Sequence, residues 1–265
     1  MKKLFSCGAL LSALVCSAAR GGVTADLVMP GYNAGTLSNG YTNTAAALGG
    51  LDALAGDGVS DTSIMTPFNA PYATTRYVGM QGATGQLTLH LSAPISIAPG
   101  AKLGVHSGAG LQYDFNNPVI QNFPTAGNYT STRTSTLKVS FDDVTFSTVA
   151  ADHVFRNPSN FYDQGITDPG FTTTPGTHAA DQFQPFLGTI ASFNGKDWPG
   201  TLAVLNGSAG GDWFDLSGVG LTAVNYVQFD TSANQTMYVD AVVGVPEPGT
   251  LSLLGVGLLL LKRRR

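Results

Sequence analysis

Apolar and polar residues alternate with period two in several short stretches of the chain, which is the pattern of half-buried β-strands. QLTLHL (86–91) places three leucines on one face, and TLKVSF (136–141) repeats the alternation. Asp142-Asp143 then marks a turn, and VTFSTV (144–149) returns, so that 136–149 reads as a β-hairpin. Further strands are expected at 75–80, 101–106, 186–193, 201–205, 224–229 and 237–243, with Pro94 breaking the strand that begins at Gln86. Residues 31–75, rich in Gly, Asn, Thr and Ala, predict loops and one weak helical turn at AAALGGLDALAG. Pro158, Pro169, Pro175 and Pro185 predict a long surface excursion over 156–185. No repeat recurs at a fixed period. Short strands without intervening amphipathic helices predict an all-β fold, a single β-sandwich over residues 26–244.

The two ends break this pattern. Met1-Lys2-Lys3 precedes the uncharged run LFSCGALLSALVC (4–16). A basic start, a short apolar run and small residues after it describe a secretory signal peptide, here 1–25. Ser17 and Ala19 place small residues at −3 and −1 for cleavage after Ala19, and Val23 with Ala25 offers a second site. Neither Cys7 nor Cys16 stands in a lipidation context, the first lacking an apolar run before it and the second following the large Val15.

At the other end, Val245-Pro246-Glu247-Pro248-Gly249 leads into TLSLLGVGLLLL and then Lys262-Arg263-Arg264-Arg265. An apolar stretch closed by four cations is a stop-transfer pattern that keeps this end cytoplasmic and the body on the other side. The predicted membrane helix, 249–261, has 13 residues. At 1.5 Å per residue it reaches about 20 Å, short of the roughly 30 Å hydrocarbon core. Such a segment suits transient residence in the membrane.

The order Pro246-Glu247-Pro248, glycine-studded apolar stretch, arginine run, in a chain that also opens with a signal peptide, resembles the bacterial PEP-CTERM sorting signal. The resemblance covers 245–265, under a tenth of the chain. It implies export by the Sec translocon, recognition by an exosortase, removal of the tail near the motif, and delivery to the cell surface or extracellular matrix. WFDLSGVGLTAVNYVQFD (213–230), MYVDAVVGV (237–245) and QLTLHLSAPISIAPGAKLGVHS (86–107) resemble strands of jelly-roll surface domains found in such proteins. That likeness implies a jelly-roll-like body and carries no activity with it.

Charge changes the picture of partners. Seven of the 13 Lys and Arg lie in the two end segments, leaving six in the body against 17 acidic residues, or about −11. Nucleic acid is excluded, because its binding needs clustered cations to neutralise phosphates. Sixteen of the 17 acids are Asp, and Glu247 is the only glutamate. Asp, with 33 Gly and 14 Pro, suits turns and leaves few helix formers. Both cysteines fall in the leader, so the body has no disulfide to staple it and must be held by its core.

No catalytic constellation emerges, and a non-enzyme is expected. Asn206-Gly207-Ser208-Ala209-Gly210 lacks the first glycine of a nucleophile elbow. His90, His106, His153 and His178 show no metal spacing; His90 and His106 are expected on a solvent face or a sheet edge. Asp142-Asp143 reads as turn chemistry rather than as a carboxylate pair. Calcium is the one ligand the residues suggest, through Asp57 and Asp61 in a glycine-rich loop and Asp240 in the last strand, although no EF-hand pattern is present. Trp198, in the turn GKDWPG, is a candidate for stacking on a sugar ring; Trp213 is expected in the core, and Phe161 and Tyr162 are further aromatics. The sequence therefore predicts an exported surface or matrix protein of structural or adhesive type. A carbohydrate-binding module in an extracellular polysaccharide matrix and a secreted Asp-dependent hydrolase are the alternatives.

Overall fold

The computed structural model describes residues 22–51, 76–111, 113–114, 119–120, 129–131, 133–157, 181–193, 195–196 and 198–245. Residues 1–21 and 246–265 lie outside the described residues, as do Asp57, Asp61, Phe161, Tyr162 and His178. The fold is all-β. Its strands are β1 (Val23–Val28), β2 (Val78–Gln81), β3 (Gln86–Ser96), β4 (Lys102–Ser107), β9 (Arg133–Ser140), β10 (Phe146–Phe155), β11 (Asp212–Asp215), β12 (Ala223–Asp230) and β13 (Thr236–Val245). Between β4 and β9 lie four short pieces, β5 (Gly110–Leu111) with β8 (Tyr129–Ser131) and β6 (Tyr113–Asp114) with β7 (Val119–Ile120).

The nine main strands form one nearly closed sheet in the order β10-β9-β12-β3-β1-β13-β4-β11, with β2 also on β13. All pairings are antiparallel. β1 joins the two halves of this sheet. Its first residues pair with β13 (Val23 with Gly244, Thr24 with Val243), and the rest pairs with β3 (Ala25 with Leu91, Val28 with Leu89), with a register shift between Ala25 and Leu27. Both halves contribute to a single apolar core, with Leu87 and Leu89 from β3, Leu137 from β9 and Phe229 from β12 meeting Met80, Val105 and Val239. These side chains alternate along their strands as the period-two pattern requires.

β13 is buried on both faces. Its register shifts between Val239 and Ala241, which turns Val242 into the main core while Ala241 packs outside against Leu51 and Ala209. The outer cover thus comes from loop segments near 51 and 209. Tyr238 lies outside as well, tilted against Tyr41 at 4.7 Å, with the Arg133 guanidinium 4.2 Å from its ring centroid.

Several expectations are corrected. Residues 201–205 are not a strand but the end of helix α1 (Trp198–Leu205). Residues 186–193 contain no strand; Ile190–Phe193 is a 3-10 turn, buried through Ile190 and Phe193. Pro94 does not end β3, which continues to Ser96. The proline falls inside a register irregularity, where Val224 faces Ile95 and Tyr226 faces His90, so no ladder N–H is needed from it. The hairpin at 142–143 is present, as is a short 3-10 helix at Thr44–Ala47, capped by Asn43 Oδ1 accepting from the Ala45 amide. With no cysteine after residue 16, reductant should leave the melting temperature of the leader-free protein unchanged. A drop on adding dithiothreitol to a thermal melt would contradict this.

Candidate functional site

Three features of the structure bear on function: the end of β13, the junction of β10 with β11, and the individual residues singled out by sequence.

β13 runs in register with β4 as far as Val245, which faces Lys102. The next residue is Pro246, so the Pro-Glu-Pro motif begins directly after the last paired residue of a central strand. Gly249, where the apolar stretch starts, comes four residues after Val245. At 3.3–3.6 Å per residue they span at most about 14 Å. Because β1 is antiparallel to β13 and starts opposite its end, the chain before Val23 and the chain after Val245 leave the sheet side by side. The same pole carries the β3–β4 connection (97–101), the β9–β10 turn (141–145) and the β11–β12 connection (216–222). The long connections, 29–77, 108–132 and 156–211, all begin at the other end of strands β1, β4 and β10.

The turn at this pole is rigidly made. Asp142 Oδ1 accepts from the amides of Val144 (3.0 Å) and Thr145 (2.9 Å) and from Ser140 Oγ (3.1 Å). These bonds hold the Asp142 carboxyl below its ordinary pKa. Asp143 takes a left-handed conformation (φ 62°), which Asp tolerates in a turn. Phe141 and Val144 are exposed on it. Lys102 lies 3.9 Å from Asp215 across β4 and β11.

At the opposite side the two outer strands of the sheet, β10 and β11, are joined by a side chain rather than by a ladder. Asp212 is buried, 6 % exposed. Its Oδ2 accepts from the amides of Arg156 (3.2 Å) and Asn157 (3.3 Å), and its Oδ1 from Asn157 Nδ2 (3.2 Å). His153 Nε2 stands 3.6 Å from Oδ1, and its ring meets Phe155 and Phe214 edge-on. Burial pushes the Asp212 carboxyl above its ordinary pKa, against the lowering effect of His153 and of the two amides. Neither partner signalled this arrangement in the sequence, where 56 residues separate Asp212 from Arg156.

The remaining candidates are dispersed. Asp240 is fully buried in β13. Among the described residues no group of three or more His, Cys, Asp or Glu is placed to hold a metal ion. Melting curves in millimolar calcium and in chelator are expected to coincide; a higher melting temperature in calcium would point to a site including Asp57 and Asp61. Trp198 is the first residue of α1 rather than part of a turn; its side chain lies outside the described residues. Trp213 is half-buried over Gly104, with its indole N–H donating to the Gly210 carbonyl at 2.9 Å. Ser208 follows a helix instead of opening one, and its hydroxyl is engaged with the Gln184 carbonyl (2.7 Å) and the Gly210 amide (3.0 Å). That geometry is unlike a nucleophile elbow. His106 is fully buried in β4, not on a solvent face or an edge, because both faces of that strand are covered. His90 is partly exposed, with its Nδ1 2.7 Å from Asp26 Oδ1.

Comparison with family models decides which feature carries the function. Residues 244–265 match the model of the PEP-CTERM protein-sorting motif. The chain carries a PEP-CTERM sorting signal. The match begins at Gly244, inside β13, so the signal overlaps the folded body by two residues. A PEP-CTERM signal implies an exported protein, held transiently in the membrane and processed by an exosortase. Comparison with curated proteins found no match. Among the described residues no helix is long and apolar enough to cross a membrane, and the sorting segment itself lies outside them.

Proposed function

We propose that the body is a structural or adhesive domain of the cell surface or extracellular matrix, a jelly-roll-like two-layered sandwich that acts by binding and cohesion and not by catalysis. The observation that supports this most is the polarity of the fold. One pole holds the start of β1, the end of β13 and three short connections, and the sorting motif follows the last paired residue without a spacer. During sorting, the chain holds that pole within about 14 Å of the apolar segment, against the membrane. The long connections leave the sheet from the opposite end, where loops on a rigid scaffold meet partners.

The Sec translocon brings the chain across the membrane in this reading, and extracellular polysaccharide is the partner the matrix setting offers. The acidic body, at about −11, is suited to staying clear of anionic lipid once its tail is gone. Deleting the gene in the native host and measuring cell–cell cohesion and matrix retention tests the proposal. Cohesion should fall and return when the wild-type chain is restored. Unchanged cohesion and an unchanged matrix would count against a structural or adhesive role.

A further inference from the structure

The sequence offers two places to cut the leader, after Ala19 and after Ala25. The second would divide a strand of the folded body. Val23 and Ala25 are buried, 7 % and 1 % exposed, and both belong to the main core. Val23 and Thr24 make the pairings that attach β1 to β13, while Asp26 onward lies only along β3. Ala25 also accepts from the Gly49 amide through its carbonyl, at 2.7 Å. Gly22 is packed into the body too, because a Cβ on it would lie 1.8 Å from the Phe183 ring. Among the described residues, a chain beginning at Asp26 would lose the pairings of Val23 and Thr24 through which β1 bridges β3 to β13. It would leave Val243 and Gly244 of β13 without their partners on β1, and an unpaired stretch of edge templates aggregation.

We infer that the leader is removed upstream of Gly22, at the Ala19–Arg20 bond, so that the exported body keeps β1 whole. Ser17 and Ala19 supply the small residues that a membrane peptidase needs at −3 and −1. Hydrolysis of that bond consumes one water, leaves a carboxylate on Ala19 of the released leader and gives the body an amino terminus at Arg20. The antiparallel register of Val23 with Gly244 then sets this new terminus beside the strand that ends in the sorting motif. The leader cut and the tail cut thus fall at one pole, and the strand that receives the tag, β13, is completed by the fourth and fifth residues after the leader cut.

The inference rests on the export reading, and one experiment separates the two. The full chain is expressed in its native host and the amino-terminal peptide of the surface form is identified by mass spectrometry. Arg20 as the first residue is the expected result. Ala19→Val should abolish the processed form, and Ala25→Val, which keeps a strand-compatible residue, should leave it at wild-type amount. A mature chain starting at Asp26, or a loss of processing in Ala25→Val with none in Ala19→Val, would overturn the inference and leave export intact. A surface-exposed chain still carrying Met1 would overturn both.

Discussion

Replacing Glu247 with alanine should leave the full-length chain in the membrane fraction, whereas the wild-type surface protein should yield no peptide from the stretch 251–265. The expected contrast is close to all-or-none. Val245 is fixed in the β13–β4 ladder, and Pro246 and Pro248 follow on either side of the glutamate. Proline has no N–H and a fixed φ, so the ladder cannot propagate through the motif, and the residue before each proline is biased to extended backbone. Such a bias favours an extended motif between the body and the 13-residue apolar stretch, the form in which a membrane-embedded enzyme can reach the chain. Glu247→Ala retains both prolines and hence the backbone constraint, and it removes the carboxylate alone. Retention in the membrane would then mark the carboxylate as what is recognised. Recovery of an intact wild-type tail from cells that contain an exosortase would show the segment to be a plain anchor.

What could be read in advance follows from how local each signal is. The sorting motif is contiguous, and 244–265 matched because its three parts stand in order within one short segment. Strands β3, β9, β12 and β13 carry clear alternation or β-branched runs over eight or more residues, and their existence was legible even where their ends were not. β1 was not, since VTADLV overlaps the expected signal peptide, 1–25, and holds small and acidic residues that look like a cleavage region. β11, four residues long, is specified by pairing with β4 and not by its own pattern. α1 was read as a strand because its apolar run TLAVL has no decisive period at that length. Its boundaries were nevertheless signalled. Pro199 stands within the first turn, and Asn206 and Gly207, at φ 49° and 84°, stop it with left-handed residues. The burial of His106 depends on chain segments covering the outer face of the sheet, which no window around residue 106 contains.

The polar junction of β10 and β11 yields the second large expected effect. Asp212→Ala should destabilise the protein by about 2 kcal/mol, since it strips the acceptor from two backbone amides and the Asn157 side chain at a buried site. For a body of this size that corresponds to a fall in melting temperature of about 4–8 °C. Asp212→Asn keeps one carbonyl acceptor at the site and should cost less. The two variants also differ from the wild type in how stability follows pH. Burial raises the folded pKa of Asp212 above its unfolded value near 3.8. The native state therefore holds this proton at pH values where the unfolded chain has released it. The contribution of the group is fully present below the unfolded pKa and is lost as pH rises through the folded one. The melting temperature of the wild type minus that of Asp212→Asn should accordingly increase on acidification toward pH 4 and stay level above the folded pKa. His153, 3.6 Å away, is the titratable group facing Asp212, so the comparison is repeated in a His153→Gln background. A difference that shrinks on acidification in both backgrounds would mean that Asp212 is stabilised as a carboxylate by the amides, and one that shrinks only with His153 present would mean that the junction holds as an ion pair.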